Sequence, residues 1–359
     1  MPDNLQASAF VLVLYDVSDE IRLEELRRTL GARNADRVLK HAAPEYLQLQ
    51  RPPVVEDFEE AILESGEKVR RQVKYYDYGV ISILFEARFS TSWEDLPCLA
   101  SRWMSSSEFE RQAFRVAQDK LKQCGAAIIK PYSEWISEDY FIFHLSQLSS
   151  DLLASDLLAR HGAQIAEIVR GETRSLSADE QREILQSSIS YYPTDLAVIG
   201  WHAAFLYDTP EGVQPSIQLL EYANSQLLEF RYYDELLTLE TARVYKFLER
   251  PTGILRHWHL AREATRLQRV TLEIRELAER AENAVKFLSD MFAARLYKLA
   301  AAKVGVLDYR ALVEQKLRTA ASFYDFMIGE FHQTRAFVLE VLVVIILVVE
   351  LIFLFFGRP

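Results

Sequence analysis

The chain has 359 residues, of which 50% are apolar and 26% are charged, so it can bury a sizeable core. Gly and Pro number 12 and 11, and Cys only 2. This composition excludes collagen-like, low-complexity and disulfide-scaffold proteins. A chain with so few turn-forming residues is expected to contain long elements, and long elements are usually helices.

Charge is distributed unevenly along the chain. Residues 1–253 contain 40 acidic and 26 basic side chains, whereas residues 254–335 contain 10 acidic and 14 basic ones. Because an acidic surface repels phosphate groups, we expect no direct nucleic-acid binding by the first part. Cys98 and Cys124 form no CxxC motif, and the N-terminal residues lack a signal-peptide pattern, which fits a reducing compartment.

Residues 1–215 predict a mixed α/β head. Short apolar, β-branched runs indicate strands, and amphipathic spacing indicates helices. In chain order we expect a strand at 10–15, a helix after Asp19, strands at 46–49 and 78–85, helices at 93–103 and 107–123, a strand at 140–145, helices at 151–170 and 178–187, and a strand at 195–207.

After Pro215 the pattern becomes helical, which makes the predicted fold class α+β. Residues 216–253 predict a connecting helix that ends at Arg250-Pro251-Thr252-Gly253. Residues 254–335 predict a long antiparallel helical hairpin of coiled-coil type, with its turn at Gly305. Apolar residues at spacings of three and four define its two arms: Leu267, Val270, Ile274, Leu277, Ala281, Ala284, Leu288 and Met291, then Val313, Leu317, Ala320, Tyr324, Met327 and Phe331.

The last segment, residues 336–357, predicts a single transmembrane helix. Nineteen of residues 336–356 are apolar, and twenty-one helical residues match the ~30 Å hydrocarbon core of a bilayer. Basic residues precede the segment, so the positive-inside rule places the head on the cytoplasmic side of a tail-anchored, single-pass protein. A bacterial inner membrane is the expected location.

The same segment carries a family resemblance. The run Arg335-Ala336-Phe337-Val338-Leu339-Glu340, followed by nine apolar residues and Glu350, resembles the C-terminal signature of an uncharacterised family. That family includes the mitochondrial "required for meiotic nuclear division" proteins and bacterial homologues. Two upstream stretches, 228–234 and 79–83, resemble family segments, although a Trp-Asn pair usual after the second is missing. The resemblance implies a membrane-anchored protein that supports translation in mitochondria, without an established enzymatic activity.

No recognised catalytic, cofactor or metal motif is present in the sequence. His257 and His259 flank Trp258 and lie on opposite faces of a helix, so they cannot share a metal ion. His202 beside Trp201 is interpreted as a structural histidine. Tyrosine clusters at 75, 76 and 78, at 191 and 192, and at 232 and 233 could stack bases or sugars, but cross-strand packing is the favoured interpretation. We therefore assign no catalytic, cofactor-binding or metal-binding residue, and no cofactor.

Three function classes remain open from the sequence. The favoured one is a membrane-anchored scaffold or interaction protein, with a protein or ribosome partner. An oligomeric transport or channel component is an alternative, since the arrangement resembles magnesium channels of the CorA type, although Gly-Met-Asn is missing. An enzyme with an unrecognised site in the head is the other, and converging polar side chains in a deep pocket would favour it.

Arg335, Glu340 and Glu350 are the residues assigned to membrane or assembly roles. Acids within an apolar helix are functional candidates because they need a partner or water. The two glutamates are ten residues apart, so they lie about 80° from each other around an ideal helix. We therefore expect a homo-oligomer that packs along this side of the helix.

Overall fold

The structure is a computed structural model. It describes residues 5–30, 47–49, 52–56, 58–146, 152–249, 256–283, 285–287 and 291–356. The predicted helix break at 250–253 and one of the histidines, His41, lie outside these residues. All statements below refer to the described part of the chain.

A mixed sheet of nine strands forms the head, in the order β3-β5-β6-β1-β7-β10-β9-β8 with β4 paired to β5. The pairing of β7 with β10 is parallel and the other pairings are antiparallel. The strands are β1 Leu5–Ile21, β3 Val54–Val55, β4 Glu59–Ile62, β5 Lys68–Tyr75, β6 Val80–Thr91, β7 Ile128–Ser146, β8 Ser188–Ile189, β9 Leu196–Ile199 and β10 Ala203–Asp208. The predicted strands at 10–15 and 140–145 are confirmed as parts of β1 and β7, and the strand predicted at 78–85 is confirmed from Val80 onward as part of β6.

The two faces of the sheet are covered by different helices. On one face the odd-numbered residues of β1, such as Val11 and Val13, join a core with the shorter helices. These helices are α1 Leu23–Leu30, α2 Leu96–Met104, α3 Glu108–Cys124, α4 Ala154–Arg170 and α5 Ala178–Leu185. The other face receives α6, Val213–Leu248, whose Glu221 accepts a hydrogen bond from the Ser82 hydroxyl of β6 at 2.6 Å.

Three further helices follow: α7 Arg256–Asn283, α8 Met291–Val304 and α9 Val306–Phe356. The chain divides into two compact units, the first formed by Met1–Tyr232 and Leu277–Arg310 and the second by Tyr233–Glu276 and Ala311–Pro359. The first unit contains the sheet and its covering helices. The second is built from parts of α6, α7 and α9.

The core of the second unit joins these three helices through Val244 of α6, Leu260, Ala264 and Leu267 of α7, and Ala320 and Met327 of α9. Arg266 of α7 pairs with Glu240 of α6 at 3.2 Å. Asp234 of α6 pairs with Lys316 of α9 at 2.5 Å. The helical arms predicted from heptad spacing therefore do pack, but α6 joins them to form a three-helix cluster.

The first arm of the predicted hairpin is shorter than expected. Helix α7 ends at Asn283 and is followed by a strand, β11 Val285–Phe287, before α8 begins at Met291. Strand β11 pairs antiparallel with β2, Leu47–Leu49, in a separate two-stranded sheet. The apolar spacing through this region is thus interrupted because the chain uses Val285 to Phe287 for strand pairing.

The predicted transmembrane helix at residues 336–357 is wrong. Among the described residues, no helix is long and apolar enough to cross a membrane. The segment is the last part of α9, and Glu340 and Glu350 limit its uninterrupted apolar run to the nine residues Val341 to Val349. Nine helical residues span about 14 Å, whereas a bilayer core needs about 30 Å. The predicted location, as a tail-anchored, single-pass protein of a bacterial inner membrane, is therefore wrong as well.

Candidate functional site

A cavity of about 800 Å³ lies in the first unit, beside the edge strand β8. Its walls come from β8 to β10, from the start of α6 and from the start of α8. Its floor is apolar, with Leu196, Leu206 and Leu219 among the lining residues. The aromatic and acidic side chains at its rim, Tyr191, Tyr192, Phe292, Asp195, Asp208 and Glu211, define what we call the Tyr191 pocket.

Two exposed tyrosines form one wall of the Tyr191 pocket. Tyr191 is 59% exposed and Tyr192 62% exposed, which is unusual for large aromatic side chains. The carboxylate of Asp195 accepts the backbone N–H groups of Tyr191 and Tyr192 at 2.8 and 2.7 Å. The ring of Tyr191 contacts Phe292 of α8 edge to face, with centroids 5.2 Å apart. These contacts hold the loop so that both tyrosines line the cavity.

The charged residues that line the Tyr191 pocket are all acidic, although the guanidinium carbon of Arg295 lies 5.9 Å from the centroid of the Phe292 ring. Asp195, Asp208 and Glu211 line it, and none of its described lining residues is Lys, Arg or His. Burial raises the pKa of Asp208, and the nearby charge of Asp195 raises it further, while the Thr209 N–H opposes the shift with a 2.6 Å hydrogen bond.

Local geometry fixes the Asp208 carboxylate. His144 of β7 donates from Nε2 to the Asp208 carbonyl at 3.0 Å, and burial lowers the pKa of His144, which keeps the ring neutral. A Cβ at Gly212 would lie 2.5 Å from an Asp208 carboxylate oxygen. A larger residue at this position in the turn after β10 would therefore displace the Asp208 carboxylate.

Aromatic rings next to carboxylates form a receptor for a cation. A ring face attracts an ammonium or guanidinium group, and a carboxylate can accept its hydrogen bonds. In contrast, the residues show no arrangement of nucleophile and base. Among the described residues, no group of three or more His, Cys, Asp and Glu side chains is placed to hold a metal ion.

The other tyrosine clusters are buried and serve packing. Tyr75 is fully buried and donates to Glu56 at 2.5 Å. Tyr76 stacks on Tyr78 with centroids 5.3 Å apart, and Tyr232 stacks on Tyr132 at 4.5 Å. These tyrosines do pack against other side chains, but not across strands as expected, because Tyr76 and Tyr78 lie in the turn before β6 and the half-buried Tyr232 lies on α6. Tyr191 and Tyr192 lie outside the strands and are exposed.

The histidines are dispersed. His202 pairs with Asp139 at 3.1 Å, and this hydrogen bond raises the pKa of His202. Its neighbour Trp201 is exposed at the turn between β9 and β10. His161 stacks on Trp93 with centroids 4.1 Å apart. His257 and His259 belong to α7, and the structure describes only their backbone.

The residues assigned to assembly, Arg335, Glu340 and Glu350, all lie on the last part of α9 in the second unit. Their side chains are exposed. They are separate in sequence from the residues of the Tyr191 pocket, which belong to the first unit.

Sequence analysis did not single out Asp195, Asp208, Glu211 or Phe292. One signal for the loop was available, because Pro193-Thr194-Asp195 follows the two tyrosines and is typical of a turn. A turn at this point takes the tyrosines out of the strand. Phe292 could not be linked to them, since about a hundred residues separate them in the sequence.

Comparisons with known proteins define the family. Residues 6–214 match the family described as "Uncharacterized protein MJ0711, N-terminal domain", and the chain belongs to it. The match covers the whole sheet and the Tyr191–Glu211 side of the pocket. The prediction of an uncharacterised family is thus confirmed, although the link to meiotic-division proteins is not shown.

One relative is the Uncharacterized protein MJ0711 of Methanocaldococcus jannaschii. It is 18% identical over 241 residues, which are 67% of this chain and 73% of that protein. No solved structure matches the chain.

Proposed function

We propose that the chain is a scaffold or interaction protein whose head binds a positively charged segment of a partner protein in the Tyr191 pocket. The observation that carries this proposal is the pairing of two exposed tyrosines with three carboxyl groups around one cavity. A lysine or arginine side chain fits this chemistry, because its apolar stem can lie on the rings while its charge meets the acids.

The charge of the head supports the same partner class. Residues 1–215 contain 34 acidic and 22 basic side chains, an excess of 12 negative charges. Such a field attracts basic protein segments and speeds their encounter with the pocket. It also disfavours nucleic acid as the direct ligand.

The resemblance to the family of the "required for meiotic nuclear division" proteins suggests a finer function, support of translation. A ribosome contacted by this chain would be bound through a basic protein segment, because the acidic head repels RNA phosphates. The enzyme and transport alternatives gain no specific observation from the described residues.

Calorimetric titration of the full-length protein with a blocked hexa-arginine peptide tests the proposal. We expect binding that weakens at high salt, and no binding of a hexa-glutamine peptide. Replacing Tyr191 and Tyr192 by Ala should weaken binding about tenfold, since each exposed cation–ring contact contributes roughly 0.5–1 kcal/mol. Replacing Asp208 by Asn and Glu211 by Gln should weaken it by a similar factor.

The matched control removes the same number of negative charges from the head, but outside the Tyr191 pocket. Glu94 and Glu172 are exposed acids of the head outside the pocket. A Glu94→Gln, Glu172→Gln variant should bind the peptide almost as well as the wild type. Equal weakening by the control and by the pocket variants would show that only net charge matters and would contradict the proposed site.

A further inference from the structure

A long apolar surface is exposed on the last part of α9. From Phe337 to Ile352, the large apolar side chains of this helix are each between 41% and 64% exposed. Contiguous apolar surface of this size marks a site that another molecule covers. Of the residues involved, only Glu340 and Glu350 are charged.

Residues 341–349 are all apolar, so apolar spacing alone does not single out one face of the helix. The face between Arg335 and Glu350 contains Leu339, Leu342, Ile346 and Val349, at intervals of three, four and three residues. At about 100° per residue they fall within one narrow stripe of the helix. We call this stripe, together with the charged residues at its two ends, Arg335 and Glu350, the C-terminal seam.

The charges at the ends of the C-terminal seam are complementary. Arg335 and Glu350 are fifteen residues apart, which places them about 60° from each other around the helix and about 22 Å apart along it. Both therefore border the same stripe. In an antiparallel pair of identical helices, the Arg335 of each copy would lie opposite the Glu350 of the other.

We infer that a second copy of this chain covers the C-terminal seam in antiparallel orientation. The two-fold axis lies between Leu342 and Val343, the midpoint of residues 335 and 350. Two ion pairs then flank an apolar centre made by four residues of each copy. A parallel pair would instead bring Glu350 next to Glu350, and like charges at this position repel.

The buried area is sufficient for a specific dimer. Sixteen residues of each helix overlap, over about 24 Å. An antiparallel pair covers only one face of each helix, so at roughly 30 Å² for each helical residue the two copies bury about 1,000 Å², which reaches the lower limit of a specific interface. The four seam residues are each about half exposed in the single chain, so they have this surface to bury.

Glu340 provides a matched control. It lies five residues after Arg335, which turns it about 140° away from Arg335 and off the seam. It has the same charge, helix and exposed setting as Glu350. A charge reversal at Glu340 should therefore leave the dimer unchanged, whereas the same reversal at Glu350 should not.

Charge reversal of the full-length protein, followed by analytical ultracentrifugation, tests the pairing. Arg335→Glu and Glu350→Arg should each weaken dimerisation at least about tenfold, because each replaces two attractive contacts by two repulsive ones. The double variant should restore the dimer. Glu340→Arg should sediment as the wild type does.

Disulfide trapping tests the orientation. Cys98 is exposed and is first replaced by Ser, while Cys124 is buried and stays. A mixture of Arg335→Cys and Glu350→Cys chains should form a crosslinked dimer under mild oxidation, and neither chain should do so alone. Crosslinking of each chain with itself would show a parallel pair and overturn the proposal.

The same samples distinguish two outcomes that would contradict the inference. A wild-type chain that stays monomeric at micromolar concentration overturns the inference. A chain that binds phosphatidylcholine vesicles as a monomer also overturns the inference. Peptide binding by the Tyr191 pocket is measured independently, so failure of the dimer leaves the proposed function intact.

Discussion

Asp16 near the end of β1 should make the protein less stable as the pH rises. Its side chain lies in the interior with an exposure of 1%, and Glu229 of α6 is nearly as buried at 2%. Burial is the main cause of a pKa well above the ordinary value for Asp16, and the charges of Glu229 and Asp19 add to it, while the Ser18 backbone N–H opposes it. The carboxyl group therefore keeps its proton in the folded protein at a pH where it is lost from the unfolded chain.

The sign and the size of this change in the free energy of unfolding follow from proton linkage. Between the ordinary pKa of an aspartate, about 3.9, and its raised value in the folded protein, the folded state holds one more proton than the unfolded state. The free energy of unfolding then falls by up to about 1.4 kcal/mol for each pH unit. This loss begins above pH ~4 and continues until the pH passes the folded-state pKa of Asp16.

Urea unfolding of the wild type and an Asp16→Asn variant across pH 4 to 8 measures the effect. The amide cannot ionise, so the variant should lose less stability with rising pH. Over two pH units the two proteins should diverge by about 2–3 kcal/mol, in favour of Asn. Asp179→Asn, at an exposed acid of α5, is the control and should follow the wild type. Parallel curves for wild type and Asp16→Asn would refute the reasoning.

Three further changes test the packing. Gly79→Ala should lower the free energy of unfolding, measured with urea, by at least about 3 kcal/mol, because its Cβ would lie 1.7 Å from a backbone oxygen of β1. Gly66 has a similar positive φ but lies in open space, so Gly66→Ala should lower the free energy of unfolding by only about 1–2 kcal/mol. Glu221→Gln should lower the free energy of unfolding by about 3–5 kcal/mol, because it leaves the Lys74 ammonium buried without its counter-ion. A double variant with Leu at position 221 and Met at position 74 should recover most of this loss. Leu267→Asp should lower the melting temperature of the second unit by circular dichroism, because it places a charge in the three-helix core, and an unchanged transition would contradict that packing.

The strands of the head could be predicted because their apolar runs are continuous. Residues 10–15 are buried on both faces, which the sequence shows directly. The extension of β1 to Ile21 could not be predicted, since Asp16 and Ser18 are polar and yet buried. Their burial depends on α6, which is almost two hundred residues further along the chain.

Helix α6 shows a second limit of sequence patterns. Its buried face includes Glu221, Asn224 and Ser225, so the helix does not show the usual division into apolar and polar sides. Glu221 is stabilised by Lys74 and Ser82 on two strands of the sheet. Such long-range pairs determine which polar residues are internal, and no local spacing reveals them.

The candidate site was missed for the same physical reason. Its tyrosines were assigned to strand packing, although their loop carries the turn residues that place them outside the sheet. Asp195 directly precedes β9, Asp208 ends β10 and Glu211 lies in the turn before α6, whereas Phe292 comes from α8. The fold brings these separate segments together around one cavity.

Mapping the position of a bound peptide tests whether the Tyr191 pocket binds a cationic side chain. An arginine-rich peptide with one photoreactive residue is irradiated with the full-length protein, and the crosslinked residues are identified by mass spectrometry. Crosslinks are expected within residues 189–215 and near Phe292, and replacing Tyr191 and Tyr192 by Ala should abolish them. Crosslinks spread over the acidic head, unaffected by that change, would contradict binding in this pocket.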